Sequence, residues 1–277
     1  MRPRGATGAR ALAPARNPER PLETNMLVEQ TMEKLVGMRL TGMAEALRRW
    51  MDQPPDKQLT PLDVLGLLVD AEWHLREERK LTARLRNARF RQEATIEDID
   101  YQHPRGLQKA VMQELAACRW VTAHQNVIFT GKTGVGKSFL ACALGQKACR
   151  EGFSVVYRRS SRLLDELAQA RADGTHFQLL RRLAKTDVLV VDDFGMEVLN
   201  AVQRRDLLEV LEDRYGTTST IITTQLEPKE WHAVIADETI ADAVCDRLVH
   251  NAHKVKLVGE SIRKLKADLT KAAKPAK

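Results

Sequence analysis

Apolar positions along the chain repeat with two different periods, which divides the chain into two regions. From Met26 to Trp50, and again after Thr60, they recur at the three- and four-residue spacing of helices. From Val127 onward, short apolar runs alternate with helical stretches, as in a parallel sheet covered by helices on both faces. The pattern therefore predicts an α/β domain preceded by an all-helical region.

The helical region is predicted to contain two long helices. Pro54 and Pro55 end the first helix, while Thr60 caps the second and Pro61 occupies its first helical position. The second helix is expected to run to about Phe90. Its apolar side, which we expect to be buried, consists of Leu62, Leu65, Leu68, Val69 and Trp73.

The last third of the second helix is strongly basic. Residues 76–91 carry seven cationic side chains against Glu77 and Glu78. A solvated helix face and a surface that contacts nucleic-acid phosphates both fit this pattern, and neither implies base specificity. The candidate DNA-binding residues are Arg79, Lys80, Arg84, Arg86 and Arg89.

The two ends of the chain differ from the rest in composition. The net charge is +7, but residues 1–25 hold five arginines against two glutamates, and residues 264–277 hold five lysines against one aspartate. The remainder is neutral, so the overall charge gives no general argument for DNA binding. The first 25 residues are rich in Arg, Pro and Ala and are predicted to be disordered. One hypothesis is that translation starts at Met26 and that these 25 residues are a mis-called extension. An organelle transit peptide is the alternative.

The chain is predicted to contain four segments. They are a disordered leader at 1–25, a helical domain at 26–98, an α/β domain at 99–263 and a flexible basic tail at 264–277. The linker between the domains is expected at residues 95–106, where Pro104 and Gly106 interrupt helical spacing. Apolar runs are shorter than the roughly 18 residues that a membrane helix needs, and the four cysteines have no metal-binding spacing. A cytoplasmic protein is expected.

A glycine-rich loop lies between a predicted strand and a predicted helix. It reads GKTGVGKS and follows the apolar run that begins at Val127. Glycines let the backbone turn tightly and point N–H groups inward, and the helix that follows adds its positive end. Lys137 would reach the β- and γ-phosphates, and Ser138 would offer its hydroxyl to Mg²⁺. The residues expected to cradle a nucleoside triphosphate are Gly131, Lys132, Thr133, Gly134, Val135, Gly136, Lys137, Ser138 and Phe139.

Two carboxylates follow a strongly apolar predicted strand. Val188 to Val191 are succeeded by Asp192 and Asp193. The carboxyl ends of parallel strands form the edge at which open sheets bind ligands. In a phosphate-loop enzyme a strand-end aspartate holds Mg²⁺, so Asp192 is assigned to the metal and Asp193 to the attacking water. Helix capping is the alternative role for this pair.

A further strand, predicted at Thr218 to Thr224, also ends in polar groups. If it lies between the other two strands, Thr224 or Gln225 would reach the γ-phosphate and the attacking water, although ordinary strand termination explains the pattern as well. Arg247 and Arg263 follow further along the chain. Spacing alone gives each arginine no role beyond a surface salt bridge.

Longer strings of the sequence resemble one protein family. They are GKTGVGKSFLACALG, VLVVDDFG, DRYGTTSTIITTQL, AVCDRLVHNAHKVKL and GESIRK, preceded by DAEWHLREERKLTARLRNARF. From Met26 to Lys264 the chain resembles the IstB-like helper ATPases of bacterial insertion sequences, which are similar to DnaC-type helicase loaders within the AAA+ ATPases. The resemblance implies an AAA+ ATPase domain at 99–263 that forms rings or helical oligomers with ATP bound between subunits. It also implies an N-terminal helical region that contacts DNA or a partner transposase.

The resemblance further assigns roles to single residues. Lys137 and Ser138 correspond to Walker A, Asp192 to the Mg²⁺ site and Asp193 to the acidic position of Walker B. Gln225 corresponds to the sensor 1 position. Many AAA+ enzymes have Glu where this chain has Asp193 and Asn where it has Gln225, so the resemblance implies slow ATP hydrolysis that acts as a switch.

Two arginines complete the set that the resemblance implies. Arg247 corresponds to the arginine finger, which would reach the γ-phosphate of a neighbouring subunit, and Arg263 corresponds to sensor 2. Arginine fingers accelerate hydrolysis by roughly 10³- to 10⁵-fold. The catalytic residues are therefore expected to be Lys137, Asp193, Gln225 and Arg247.

The expected function is that of an ATP-dependent transposition helper on duplex DNA. A DnaC-type replicative helicase loader is the alternative that sequence separates least well. A small-molecule kinase would need an acceptor pocket and an arginine-rich lid, for which the sequence has no signal. A DNA-binding module that uses nucleotide only as a structural ligand remains open because of Asp193.

Overall fold

The computed structural model describes residues 21–52 and 59–262, with side chains from residue 26 onward. The chain divides into two compact units, Met1–Arg79 and Lys80–Lys277. The predictions for the first 20 residues, for Arg263 and for the basic tail at 264–277 lie outside the described residues. In the described ranges no helix has the length and apolar composition that crossing a bilayer requires.

The first unit contains α1 (Pro21–Gly37), α2 (Thr41–Asp52) and the beginning of α3 (Pro61–Ala88). The prediction of one helix from Met26 to Trp50 is wrong, because the helix ends after Gly37, where Arg39 adopts a positive φ of 60°. The boundary predicted between leader and helical domain is also wrong, because α1 begins at Pro21.

Glu72 on α3 holds the start of α2. Its Oε2 accepts hydrogen bonds from the backbone N–H groups of Gly42 (2.7 Å) and Met43 (3.3 Å), which are among the N–H groups that a helix start leaves without partners. A Cβ at Gly42 would lie 2.8 Å from the carbonyl oxygen of Ala71. This position therefore needs glycine for close helix packing.

The apolar side of α3 is not buried, contrary to the sequence-based expectation. Thr60 does cap the helix, since its Oγ1 accepts from the N–H of Asp63 at 3.2 Å. However, Leu62 and Trp73 are 75% and 64% exposed. Leu65 and Val69 on the same side are also exposed. The first unit thus presents an apolar stripe on α3, defined as Leu62, Leu65, Val69 and Trp73.

The second unit is an α/β domain. Its strands are β1 (Asn126–Thr130), β2 (Val155–Arg159), β3 (Val188–Phe194), β4 (Ser219–Thr224) and β5 (Ala252–Lys256). Its helices after α3 are α4 (Lys109–Ala116), α5 (Arg119–Thr122), α6 (Lys137–Arg150), α7 (Ser160–Ala172), α8 (His176–Ala184), α9 (Ala201–Arg214), α10 (Trp231–Ile235) and α11 (Glu238–Val249). A 3₁₀ turn at Pro228–Glu230 precedes α10. Asn200 caps α9 by accepting from the N–H groups of Val202 and Gln203.

The five strands form one parallel sheet with the order β2-β3-β4-β1-β5. The core on one face includes residues of α6, α4, α5 and the end of α3. The core on the other face includes residues of α7 to α11. The structure therefore confirms a parallel sheet covered by helices on both faces, with β4 between β1 and β3.

The predicted boundary after residue 98 is wrong, because the second unit begins at Lys80. Leu81, Leu85 and Phe90 pack against the core of this unit, and Ala94 and Ile99 are buried in it. Apolar side chains within residues 80–99 thus bind the segment to the sheet domain. The residues predicted to form a linker are part of the folded domain.

Trp231 is completely buried and contacts Phe194 edge-on, with ring centroids 5.0 Å apart. We expect Trp231→Ala to lower the free energy of unfolding by about 3–5 kcal/mol, because it leaves a large cavity. Urea unfolding followed by circular dichroism measures this loss. The neighbouring His232→Ala removes only a partly exposed contact with Asp242 and should cost less than about 1 kcal/mol. Equal losses would show that Trp231 is not a core residue.

Candidate functional site

The glycine-rich loop connects the end of β1 to the start of α6, as the sequence predicts. Gly131, Gly134 and Gly136 have φ values of 148°, 87° and 100°, a region that residues with a Cβ rarely adopt. A Cβ at Gly134 would also collide with the hydroxyl of Ser261. The loop therefore requires glycine at these positions, and its backbone can approach a ligand closely.

Lys137 is the first residue of α6 and is 6% exposed. Its Nζ donates to the carbonyl oxygens of Gly131 (2.7 Å) and Lys132 (3.0 Å). These bonds fold the side chain back over the loop. The ammonium therefore lies beside the loop backbone at the positive end of α6, where a phosphate anion is favoured.

Asp192 is the fifth residue of β3 and is completely buried. Its carboxylate accepts hydrogen bonds from the hydroxyls of Tyr157 (2.6 Å) and Thr223 (2.5 Å), which belong to the strands on either side of β3. Burial, together with the bond to Asp192, raises the pKa of Tyr157. The tyrosine hydroxyl therefore stays protonated and continues to donate to the aspartate.

Asp193 has a left-handed backbone, with φ of 58°, where the pairing of β3 with β4 shifts register. Its N–H donates to Thr223 Oγ1 at 2.9 Å. One threonine therefore holds both the backbone of Asp193 and the carboxylate of Asp192. Oδ2 of Asp193 lies 3.6 Å from Arg91 Nη1 and 3.8 Å from Arg159 Nη2.

A cleft of about 540 Å³ lies at the carboxyl ends of β1, β3 and β4. Gln225 follows β4 and lines this cleft, and its Nε2 lies 3.1 Å from Met196 Sδ. The residues that the sequence selects and that line the cleft are Thr133, Gly134, Gly136, Lys137, Ser138, Phe139, Asp193 and Gln225. A glycine cradle, a buried lysine, a hydroxyl and a carboxylate are the groups that a nucleoside triphosphate and its metal require, so the residues fit this ligand.

Six further polar residues line the cleft without having been selected as cleft residues from sequence: Arg91, Gln92, Asp98, Asp100, Arg105 and Arg159. Arg159 ends β2, so the rule that selects polar residues at strand ends could have found it. Arg105 is 2% exposed and donates to the carbonyl oxygens of Val135 (3.3 Å) and Asp100 (2.8 Å). Its contact with the loop is tertiary, and no local pattern marks it.

Arg247 lies near the amino ends of the strands, whereas the cleft lies at their carboxyl ends. Its carbonyl oxygen accepts a bond of 3.0 Å from Asn126, the first residue of β1, whereas the loop follows the last residue of β1. Its guanidinium contacts Glu212 Oε1 at 2.7 Å and the carbonyl oxygen of Ala243 at 2.9 Å. At about 3.3 Å per residue, the length of β1 separates this region from the phosphate loop by roughly 13 Å.

The chain returns to the loop just before Arg263. The N–H of Ile262 donates to the carbonyl oxygen of Gly134 at 3.0 Å, and the N–H of Leu257 donates to the carbonyl oxygen of Thr130 at 2.8 Å. Arg263 itself lies outside the described residues. The segment that leads to the predicted sensor 2 position therefore contacts the phosphate loop.

The five candidate DNA-binding residues are divided between the two units. Arg79 belongs to the first unit, where its Nη2 donates to Thr41 Oγ1 at 3.0 Å. Lys80, Arg84, Arg86 and Arg89 belong to the second. Arg84 Nη1 donates to the carbonyl oxygen of Gly152 at 3.2 Å, whereas Arg86 and Arg89 are exposed.

Comparisons with a family model and with individual relatives point to the same protein family. Residues 33–270 match the family described as IstB-like ATP binding protein. The insertion sequence ATP-binding protein y4pL of Sinorhizobium fredii is 50% identical to this chain over 239 residues, which cover 86% of this chain and 98% of that protein. The similarity therefore extends over both units.

Solved structures share the fold at lower identity. DnaI superposes with a TM-score of 0.52 at 20% identity and covers 60% of this chain and 91% of its own. AMPPCP-bound DnaA from Aquifex aeolicus gives a TM-score of 0.53 at 16% identity and covers 68% of this chain and 58% of its own. Together with the loop and the sheet order, these findings show that the chain belongs to the IstB-like ATP-binding family and is a P-loop ATPase of the AAA+ class.

Proposed function

We propose that the protein is a transposition helper that uses ATP to oligomerise on duplex DNA and to present that DNA to a partner transposase. Slow hydrolysis then resets the complex. The observation that carries this proposal is the cleft shared by Lys137, Asp193 and Gln225, in a chain related to an insertion sequence ATP-binding protein.

Ser138, which lines the cleft, and Asp192, near the end of β3, would hold Mg²⁺. Hydroxyl and carboxylate oxygens, usually with several waters, are the ligands that Mg²⁺ prefers beside phosphates. The bonds from Tyr157 and Thr223 fix the orientation of the Asp192 carboxylate. When bound, the metal would supply positive charge to the phosphate oxygens.

Asp193 and Gln225 would act on the attacking water and the γ-phosphate. Asp193 is one methylene shorter than the glutamate that many AAA+ enzymes use, so it would hold the water less well. Its carboxylate also lies near two arginines, which favour an ion pair over a bond with water. Both features support slow turnover, with bound ATP maintaining the assembled state.

The position of Arg247 supports a site shared between subunits. It lies at the amino ends of the strands, while the loop lies at the carboxyl ends. An arginine in this place can reach a phosphate only in another subunit. ATP would then bind at the contact between neighbours, and hydrolysis would require assembly.

The first unit supports partner binding. Its apolar stripe on α3 exposes large side chains, including Trp73 at 64% and Leu62 at 75%. Aromatic and leucine side chains grouped on one exposed helix face are typical of protein interfaces. We therefore assign the partner transposase to this stripe.

The basic residues near the end of α3 would contact DNA phosphates. We expect Arg86→Glu to weaken binding to duplex DNA and to reduce the slope of log affinity against log salt by about 1, because a phosphate contact is lost. Fluorescence anisotropy at several salt concentrations measures both quantities. Arg205→Glu on α9 is the control, since it makes the same charge change at another exposed position. An equal effect of the two variants would indicate a general charge effect and no contact at Arg86.

A DnaC-type replicative helicase loader is the second candidate function, because the IstB-like family resembles such loaders. The two functions differ in their partner. Full-length protein loaded with ATP and duplex DNA should retain an insertion-sequence transposase and should not retain a hexameric replicative helicase. The opposite outcome would favour the loader.

Steady-state phosphate release tests the proposed ATPase cycle. We expect slow release by the protein alone and faster release with duplex DNA, because DNA brings the arginine of one subunit to the cleft of the next. ATP binding without release in either condition would instead indicate that nucleotide is a structural ligand.

A further inference from the structure

The side chain of Asn126, the first residue of β1, binds the last turn of α11. Its Nδ2 donates to the carbonyl oxygens of Arg247 (3.0 Å) and Leu248 (3.3 Å). These are two of the last four carbonyls of α11, which a helix leaves without partners of its own. The amide of Asn126 therefore caps the end of α11 from another element.

The oxygen of the same amide binds the sheet. Asn126 Oδ1 accepts from the N–H of Thr220 on β4 at 2.9 Å, and the residue is 7% exposed. The reversed amide would place a donor against this N–H and an acceptor against two carbonyls, so the contacts allow one orientation. Asn126 thus ties the last turn of α11 to two inner strands of the sheet.

Open space adjoins this turn of α11. A cavity of about 140 Å³ lies beside it, and Asn126, Thr220 and Arg247 are among the residues that line the cavity. Leu248 is buried in the core, which anchors the turn but does not fix the direction of its carbonyls. The cavity therefore gives the turn room to shift if the bonds from Asn126 are lost.

The side chain of Arg247 is held by contacts other than those of its backbone. Its guanidinium binds Glu212 on α9 and the carbonyl oxygen of Ala243, and the side chain is 24% exposed. An arginine that acts across an interface has to leave such contacts, whereas its backbone has to stay in place to direct it. A misplacement of about 1 Å can lower a rate by about 100-fold.

We propose that Asn126 is a positioning residue that directs Arg247 toward the ATP site of a neighbouring subunit. This inference rests on the proposed function, in which ATP binds between subunits, and it adds the group that holds the arginine in place. Asn126 begins β1, whereas the phosphate loop follows the end of β1. Asn126 therefore influences hydrolysis through Arg247 and not through the loop of its own subunit.

Loss of the amide donor tests this role. Asn126→Asp keeps the acceptor for Thr220 but removes the donor that faces two carbonyls. We expect hydrolysis with saturating ATP and duplex DNA to fall by about 100-fold, while ATP binding by isolated subunits is unchanged. Asn126→Ala introduces no buried charge and should show the same separation of binding from turnover. Wild-type turnover in both variants would overturn the inference.

Asn251→Asp is the matched control. The Nδ2 of Asn251 also donates to a backbone carbonyl, that of His124, at 3.3 Å, and the residue is exposed just beyond α11. Its substitution makes the same chemical change without removing a bond to Arg247. Turnover of this variant should equal that of the wild type.

Mixtures of variants distinguish action through Arg247 from a general structural defect. Asp193→Asn subunits lack the carboxylate assigned to the attacking water but retain Asn126 and Arg247. Mixed in equal amounts with Asn126→Asp subunits before ATP and DNA are added, they should restore roughly a quarter of wild-type turnover, the share of interfaces that place an intact ATP site beside an intact arginine. A mixture of Asn126→Asp with Arg247→Ala should restore none, because both variants lack the same function.

The mixtures also separate this inference from the proposed function. The reference is Arg247→Ala mixed with Asp193→Asn, which should recover turnover if the arginine acts across an interface. Without that recovery, the shared ATP site is wrong and the inference fails with it. If the reference recovers, the shared site stands, and the role of Asn126 is overturned by either of two results. These are no recovery of Asn126→Asp with Asp193→Asn, or recovery of Asn126→Asp with Arg247→Ala.

Discussion

Replacement of Lys137 with alanine is expected to reduce ATP affinity by at least about 100-fold, because a buried charge that contacts phosphate contributes several kcal/mol to binding. The lysine is 6% exposed and its ammonium lies over the loop backbone at the positive end of α6. Lys132, the other lysine of the loop, does not line the cleft. Titration of the protein with a fluorescent ATP analogue measures the loss.

Lys147→Ala is the control for this experiment. Lys147 is on the same helix and pairs with Glu151 at 2.5 Å, near the end remote from the loop. Its replacement makes the same change in charge and should leave ATP affinity within about 2-fold, as expected for a surface pair. Wild-type affinity in Lys137→Ala would show that the loop does not bind the triphosphate.

Arg247→Ala is expected to leave ATP binding by isolated subunits nearly unchanged but to reduce DNA-stimulated hydrolysis by roughly 10³-fold, the lower end of measured arginine-finger effects. The reason is its location. Arg247 is at the amino ends of the strands, so it cannot reach the phosphates of its own subunit. Phosphate release with saturating duplex DNA measures the effect, and nucleotide titration without DNA measures binding.

Glu212→Gln provides the matched control for Arg247. Glu212 Oε1 pairs with Arg247 Nη2 at 2.7 Å in the single subunit. Its substitution removes this pair but retains the arginine, so DNA-stimulated hydrolysis should persist. Equal loss of hydrolysis in both variants would mean that the ion pair is structural and that Arg247 does not act across an interface. Unchanged turnover in Arg247→Ala would also show that Arg247 is not an arginine finger.

The nucleotide site could be predicted largely from sequence because its determinants are local. The glycines, Lys137 and Ser138 lie within eight consecutive residues that connect a strand to a helix, and this order largely determines their geometry. Asp193 and Gln225 could be brought to the same cleft because parallel strands end at one edge. Polar residues at the ends of predicted strands can therefore be assigned to one site from sequence alone, without knowledge of long-range contacts.

Other parts of the site depend on contacts that no local pattern records. Arg105 reaches Val135 from thirty residues away, and Arg91 reaches two carboxylates about a hundred residues later in the chain. The residues around Pro104 have the composition of a linker, yet Arg105 among them is buried. Proline and glycine occur both in flexible linkers and in loops that pack against a domain. Composition therefore could not distinguish the two.

The errors in the helical region have a similar origin. A three- to four-residue spacing continues through residues 38–40, although α1 ends at Gly37 and Arg39 has a positive φ. The apolar side of α3 shows that periodicity identifies an apolar face but not what covers it. The apolar residues of α3 continue past Arg79 without a break, so their pattern does not mark the boundary between the two units. Only the contacts of these residues divide them.

The central claim is that ATP assembles this protein on duplex DNA. Its mass in solution, measured by light scattering with ATP plus duplex DNA and with ADP plus the same DNA, tests the claim most directly. We predict a large protein–DNA particle with ATP and dissociated subunits with ADP. The same mass with both nucleotides would contradict the account.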